Sequence, residues 1–126
     1  MSEVPDDLRY NSEHEWVRVE GDEIVIGITD YAQEALTDIV YVELPEEGLS
    51  VKKMEEFAAV DSVKSSSAIF SPISGEVISI NEELEESPEL INSDPYGNGW
   101  IARMRPENIE EIFTLLSPEE YSNLIK

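Results

Sequence analysis

Val60-Asp61-Ser62-Val63-Lys64-Ser65-Ser66-Ser67-Ala68 is the stretch from which the rest of the chain is read. A short apolar segment, Phe57-Ala58-Ala59-Val60, leads into it, and another, Ala68-Ile69-Phe70, leads out. Small polar residues fill the gap, as they do in exposed tight turns. Two short strands joined in this way predict a hairpin with Lys64 at its tip. Lys64 is also the only basic residue between Lys53 and Arg103. By composition alone it is an ordinary surface lysine. On an exposed tip it is also well placed for modification, because an enzyme can reach the amine and an attached group can swing between partners.

Outward from the hairpin, most of the chain reads as further short strands. Val17 and Val19 alternate with Trp16 and Arg18, and Ile24, Ile26 and Ile28 alternate with Val25 and Gly27. Glu20-Gly21-Asp22-Glu23 turns between them, giving a second hairpin. Val40, Val42 and Leu44 are expected on one face of the next strand, which Pro45-Glu46-Glu47-Gly48 ends. Ser71-Pro72-Ile73-Ser74-Gly75 breaks the pattern, Val77-Ile78-Ser79-Ile80 resumes it, and residues 100–104 read as the last strand. Helices are few. Thr29 can cap a short one over residues 30–36. Ile109, Ile112, Phe113 and Leu116 recur at helical spacing. Ser117-Pro118-Glu119-Glu120 supplies a cap, a first-turn proline and acids for a final helix carrying Tyr121, Leu124 and Ile125. Val42-x-Leu44-x-Glu46-Glu47 is echoed 36 residues later by Ile78-x-Ile80-x-Glu82-Glu83.

A chain of 126 residues, 40% apolar, reads as one globular domain over residues 1–126. No apolar run approaches the roughly 20 residues of a spanning helix. The acidic start, Met1-Ser2-Glu3-Val4-Pro5-Asp6-Asp7, has no apolar stretch of the kind that addresses a chain for secretion. The expected location is cytoplasmic, or mitochondrial for a processed eukaryotic protein. Twenty-nine acidic residues against eight Lys and Arg give a net charge of −21. Such a surface repels nucleic acid and anionic membrane, and favours partners with basic docking patches. The alternative is that the acidity serves only solubility. There is no cysteine and His14 is the sole histidine, so disulfides, cysteine nucleophiles, thiolate metal sites and multi-histidine sites are excluded.

Other clusters carry less. Residues 82–89 form a dense acidic run that reads as a solvated loop. Residues 92–98 place Asn, Asp and Gly like the start of a calcium loop, but Arg103 stands where the bidentate Glu belongs, so a turn is expected and no metal. His14, between Glu13 and Glu15, has no marked nucleophile to activate and reads as a surface or hydrogen-bonded structural residue.

Taken together, several motifs resemble one family. Val60-Asp61-Ser62-Val63-Lys64 resembles the lipoylation signature of glycine cleavage H proteins, with Asp61 where Glu is usual. His14-Glu15-Trp16, Ile26-Gly27-Ile28-Thr29-Asp30-Tyr31-Ala32-Gln33 and Val42-Glu43-Leu44-Pro45 precede it in the family's order. Ser71-Pro72-Ile73-Ser74-Gly75-Glu76-Val77, Pro88-Glu89-Leu90-Ile91-Asn92 and Pro95-Tyr96-Gly97-Asn98-Gly99-Trp100 follow, so the likeness spans nearly the whole chain. It implies a mainly β barrel-sandwich hybrid of the lipoyl/biotinyl type, made of two small antiparallel sheets, with two halves related by an approximate twofold. A few short helices, including C-terminal ones, complete it.

The resemblance also implies a function. The chain would be a monomeric, non-catalytic carrier with lipoic acid attached to Lys64 as N6-lipoyllysine. It would shuttle the aminomethyl group from glycine decarboxylase to aminomethyltransferase, with dihydrolipoamide dehydrogenase reoxidising the dithiol. A lipoate ligase or a lipoyl/octanoyl transferase would load it. The alternative is an H-like carrier in lipoyl relay or another lipoate-dependent pathway. A third reading is an unmodified acidic interaction domain. Biotin is disfavoured, because biotin sites typically flank the lysine with Met, whereas Val63 and Ser65 stand here.

The family rests its loaded arm against polar groups, which makes Glu13 and Glu15 candidate arm-docking residues. Glu13 stands where many members have Ser or Thr, and Ala68 where many have an acid, which Glu13 could replace. Ala58 replaces a frequent Gly, and Met54-Glu55-Glu56 a Gly-containing turn.

If the acidity steers docking, the apparent KM for this protein with glycine decarboxylase rises as salt is added, because exposed charges are screened beyond about 8–10 Å at moderate ionic strength. A KM independent of salt would return the charge to a solubility role.

Overall fold

The branched residues around the Glu20–Glu23 turn pair as expected in the computed structural model, which describes residues 2–126. Strands β2 (Glu15–Glu20) and β3 (Glu23–Ile28) are antiparallel, with Glu20 opposite Glu23. Gly21 and Asp22 alone close the turn, and Gly21 takes φ +67°, a left-handed conformation open to glycine without steric cost.

Two antiparallel sheets are present among the described residues. The larger has the order β1-β2-β3-β9-β8-β5, with β1 Arg9–Tyr10, β5 Ser50–Val51, β8 Gly75–Ile80 and β9 Ala102–Pro106. The smaller has the order β4-β6-β7, with β4 Ile39–Glu43, β6 Glu56–Ser62 and β7 Ser66–Phe70. Short helices join them: α1 (Asp30–Leu36), α2 (Glu83–Glu86), α3 (Leu90–Ser93), a 3₁₀ turn (Ile109–Thr114) and α4 (Pro118–Leu124). None is long and apolar enough to cross a membrane. The two sheets are unequal, six strands against three, and β1 and β5 are two-residue edges of the larger one.

Ile24, Ile26 and Ile28 of the larger sheet meet Val42, Val60 and Ile69 of the smaller in one buried core. Each such side chain, fully buried, contributes roughly 1.5–3 kcal/mol. The other face of β2 and β3 is also covered. Trp16 and Val25 pack there with Tyr10 and with Tyr121 from α4, and the two tyrosine rings stack at 4.6 Å. The helix caps form as read. Thr29 Oγ1 accepts from Ala32 N, and Ser117 with Glu120 makes a reciprocal capping box.

Several expectations are corrected. Val40 does not share a face with Val42: the register shifts between Ile39 and Tyr41, so Ile39 and Val42 are buried while Val40 and Tyr41 face solvent. The last strand begins at Ala102 and runs to Pro106, leaving Trp100 and Ile101 before it. The 109–116 segment is a 3₁₀ turn over 109–114, whose three-residue period aligns Ile112 with buried Leu115 and leaves Phe113 exposed. The acidic run is not wholly loop, because fully buried Leu84 anchors the single turn of α2. The two echoed segments lie on β4 and β8. Each has two further strands beside it in antiparallel order, β6 and β7 next to β4, and β9 and β3 next to β8.

Gly27 is paired with Trp16, and a Cβ on it would stand 2.6 Å from the indole. The indole cannot easily retreat, because its Nε1 donates to Pro95 O at 3.0 Å. Gly27→Ala is therefore expected to lower stability by about 1–3 kcal/mol, the usual effect of overfilling a packed site. Urea unfolding of the two proteins checks this, and an unchanged midpoint would show that the indole has room.

Candidate functional site

The Lys64 turn is built from serine. In residues 62–65, Ser62 N donates to Ser65 O at 2.8 Å. The Ser62 hydroxyl accepts from Lys64 N at 3.1 Å and Ser65 N at 3.0 Å. The Ser62, Lys64 and Ser65 backbone donors are thus satisfied within the turn, as Ser side chains can do. Just below, Ser66 Oγ donates to Asp61 Oδ1 at 2.6 Å across the hairpin. Val63 N donates to Asp38 O at 3.0 Å, tying the tip to the connection between α1 and β4.

Lys64 itself is exposed. Its Nζ makes one long contact, 3.5 Å to Ala35 O in the last turn of α1. A cation there is favourably placed against the helix C-terminal carbonyls. It makes no ion pair with the described residues, so nothing strong holds the amine back from acylation. The hairpin fixes where the lysine leaves the surface, and the side chain stays free. These are the properties needed to carry an acyl group of moderate length.

Glu13 and Glu15 are separated by burial. Glu13 is exposed, and its backbone N donates to Asn11 Oδ1 at 3.0 Å. Glu15 is only 2% exposed. Asn11 Nδ2 donates to Glu15 Oε1 at 2.6 Å, and Phe70 N on β7 donates to Oε2 at 3.3 Å. Burial pushes the Glu15 carboxyl up from 4.5 to about 8, and the bonds from Asn11 and Phe70 oppose that rise only in part. The carboxyl thereby joins β2 to the edge strand of the smaller sheet. Ala68 pairs with Ala59 two residues before Phe70, on the same outer face as Asp61 and Ser66.

His14 takes φ +73° at the end of a turn begun by Asn11, whose Oδ1 accepts from both Glu13 N and Glu15 N. Its Nδ1 lies 2.8 Å from Tyr121 OH, which lies 2.7 Å from Thr29 Oγ1. Burial lowers the His14 pKa. This is the hydrogen-bonded structural role expected of it. Neither Asn11 nor Asp38 belongs to a motif read from the sequence. An Asn two residues before an acidic pair is a signal for an Asx turn. Asp38 acts through its carbonyl, which carries no side-chain signal.

Residues 8–126 match the family model described as "Glycine cleavage H-protein". The chain is 54% identical to the glycine cleavage system H protein of Psychrobacter sp. over 122 residues, covering 96% of this chain and 97% of that protein. With the protein of the same name from Rubrobacter xylanophilus it shares 53% over 126 residues, covering 100% and 98%. The crystal structure of a glycine cleavage system H protein from Mycobacterium marinum superposes with a TM-score of 0.87 at 36% identity, covering 95% of this chain and 97% of that one. The lipoyl-like barrel-sandwich fold and the full-length likeness agree, and the chain belongs to the glycine cleavage H-protein family.

Proposed function

We propose that Lys64 is the residue through which this protein acts as the lipoyl carrier of the glycine cleavage system, its Nζ joined by an amide to lipoic acid. The observation that carries the assignment is the exposed, unpaired amine on a turn stiffened by the Ser62 hydroxyl. The protein is a non-catalytic component working with glycine decarboxylase, aminomethyltransferase and dihydrolipoamide dehydrogenase. The attached group supplies a redox-active dithiolane that moves the aminomethyl unit between enzymes, while the chain supplies its anchorage and surface. We read residues 1–126 as one carrier domain, supported by a core that runs from Val17 on β2 to Leu115. A cytoplasmic location is supported by the likeness to bacterial H proteins.

Glu13 and Glu15 are proposed to receive the loaded arm unequally. From Ser66 to Phe70, which Glu15 contacts, β7 spans on the order of 13 Å at about 3.3 Å per residue. A lysine bearing an eight-carbon acyl chain spans roughly 15 Å by ordinary bond lengths. Glu13 offers the arm an exposed carboxylate, which suits an amine, while Glu15 stands behind it, buried and bonded to Asn11 and Phe70.

Lys64→Arg keeps the charge but offers no acylable amine. It is expected to abolish carbon transfer and leave thermal unfolding unchanged. Peptide mass spectrometry of the protein from its native host should find lipoyl on Lys64; lipoyl on Lys52, Lys53 or Lys126 with Lys64 bare would falsify the assignment.

The raised Glu15 pKa has a sign. A carboxyl with a folded pKa near 8 and an unfolded value of 4.5 binds more protons folded than unfolded. Its favourable contribution is complete below pH 4.5 and is lost as the pH rises through about 8. Wild type should therefore lose stability relative to Glu15→Gln between these limits. Paired urea titrations at successive pH values measure the difference, and a constant gap would mean that Glu15 ionises normally.

A further inference from the structure

Among the described residues, four large apolar side chains are more than half exposed: Val63 (68%), Phe113 (67%), Tyr41 (56%) and Val40 (53%). Three of the four belong to the smaller sheet and turn that carry Lys64. Val63 precedes it on the turn, and Tyr41 pairs with Asp61 across β4 and β6. Val40 lies beside Tyr41, turned outward by the register shift of β4. The bulge has a consequence for function: without it Val40 would fall on the buried side with Val42. Tyr41 also heads a groove continued by Leu44, Pro45 and Ile80, with Glu43 and Glu85 at its rim. The exposed acids Asp38 and Glu43 adjoin the patch in sequence, and Lys64 is the only base between residues 53 and 103.

Starting from the assignment of lipoyl attachment to Lys64, we infer that Val40, Tyr41 and Val63 form the footprint on which the enzyme that acylates Lys64 docks. The matching surface of that enzyme is apolar at its centre and basic at its rim. Reach selects this partner over the others. The acylating enzyme must bring its reacting carbon to Nζ, which lies only about 6 Å from the Lys64 Cα by ordinary bond lengths. Its surface therefore meets the neighbours of the lysine, first among them Val63 and Ser65, each with Cα about 3.8 Å away, of which Val63 is the apolar one. Enzymes acting on the dithiolane meet it some 10 Å further out along the arm, and they have no need to touch the tip. In the loading step the amide bond forms between Lys64 Nζ and the adenylate-activated lipoyl carbonyl carbon. AMP leaves with the electrons of the broken bond, and the amine proton passes to solvent.

The test uses the unmodified full chain, a lipoate ligase, ATP and free lipoate, with intact mass followed over time. In the triple variant Val40→Thr, Tyr41→Thr, Val63→Ser, kcat/KM for acylation is expected to fall tenfold or more, mainly through KM. Val63→Ser alone, which alters no strand, should give a severalfold loss. Phe113→Ser removes an equally exposed side chain in the 3₁₀ turn and should load at the wild-type rate. After prolonged incubation has loaded the triple variant, dihydrolipoamide dehydrogenase should turn it over like wild type. Wild-type acylation kinetics in the triple variant would overturn the inference while leaving Lys64 as the attachment point. Equal losses in the loading and dehydrogenase assays, or an equal loss in Phe113→Ser, would overturn it as well. Lipoyl on another lysine of the wild-type chain is the distinct result that would remove the attachment assignment beneath it.

Discussion

The β6–β7 hairpin must bury one face and expose its end, and the site follows from that constraint. Val60 and Ile69 are sealed in the core shared with the larger sheet, while Asp61 and Ser66 pair on the outer face. A side-chain period of two means that a slip of one residue would exchange those faces. Burial of Val60 and Ile69 therefore fixes the register of the hairpin, and the register fixes which residues make the turn. Lys64 is held at the tip because Val60 and Ile69, further down the two strands, are buried, although it buries little itself. This separates the stability of the domain from the freedom of the lysine, as a carrier requires.

Around this hairpin the molecule manages charge in two ways. Most of its carboxylates stay in water, where their mutual repulsion is weakened by solvent and salt. Glu15 is the exception, with a carboxyl nearly removed from solvent. Its two donors come from different places, the Asn11 side chain in the turn before β2 and the Phe70 backbone on β7. Desolvation outweighs them, so the group favours its protonated form near neutral pH. The same contact satisfies a backbone N–H on the edge strand of the smaller sheet, which would otherwise lack a ladder partner. Glu15 thus belongs to the joint between the sheets as much as to the surface along which an arm would lie.

The second packed layer explains why residues next to the site are so constrained. Trp16 follows Glu15 on β2, and its indole fills the space left by Gly27. Tyr121 closes the layer from α4 and meets His14 and Thr29 through its hydroxyl. The cap of α1, the turn carrying Glu13 and the C-terminal helix are therefore linked. Burial raises the pKa of Tyr121 and lowers that of His14, so both stay neutral, and a neutral hydrogen-bonded pair is less costly to bury than a charge.

The hairpins, the helix caps and the place of Lys64 are legible in the sequence, since each depends on local chemistry: alternation of branched residues, Gly at a left-handed position, Ser and Thr before a first turn, small polar residues between strands. The sequence also carries the family resemblance, through motifs spaced along nearly the whole chain. It does not determine which of two similar neighbours is buried. Glu13 and Glu15 look alike in sequence, yet one is in water and the other is sealed against β7, a strand more than 50 residues away. Val40 and Val42 fit one strand pattern, and only the register shift against β6 turns the first outward. The helical spacing of residues 109–116 gives way to a 3₁₀ turn, because buried Leu115 and half-buried Ile112 set a three-residue period there. In each case the deciding contact lies across sheets or between distant segments, and a local pattern records the shape of a segment without naming what covers it.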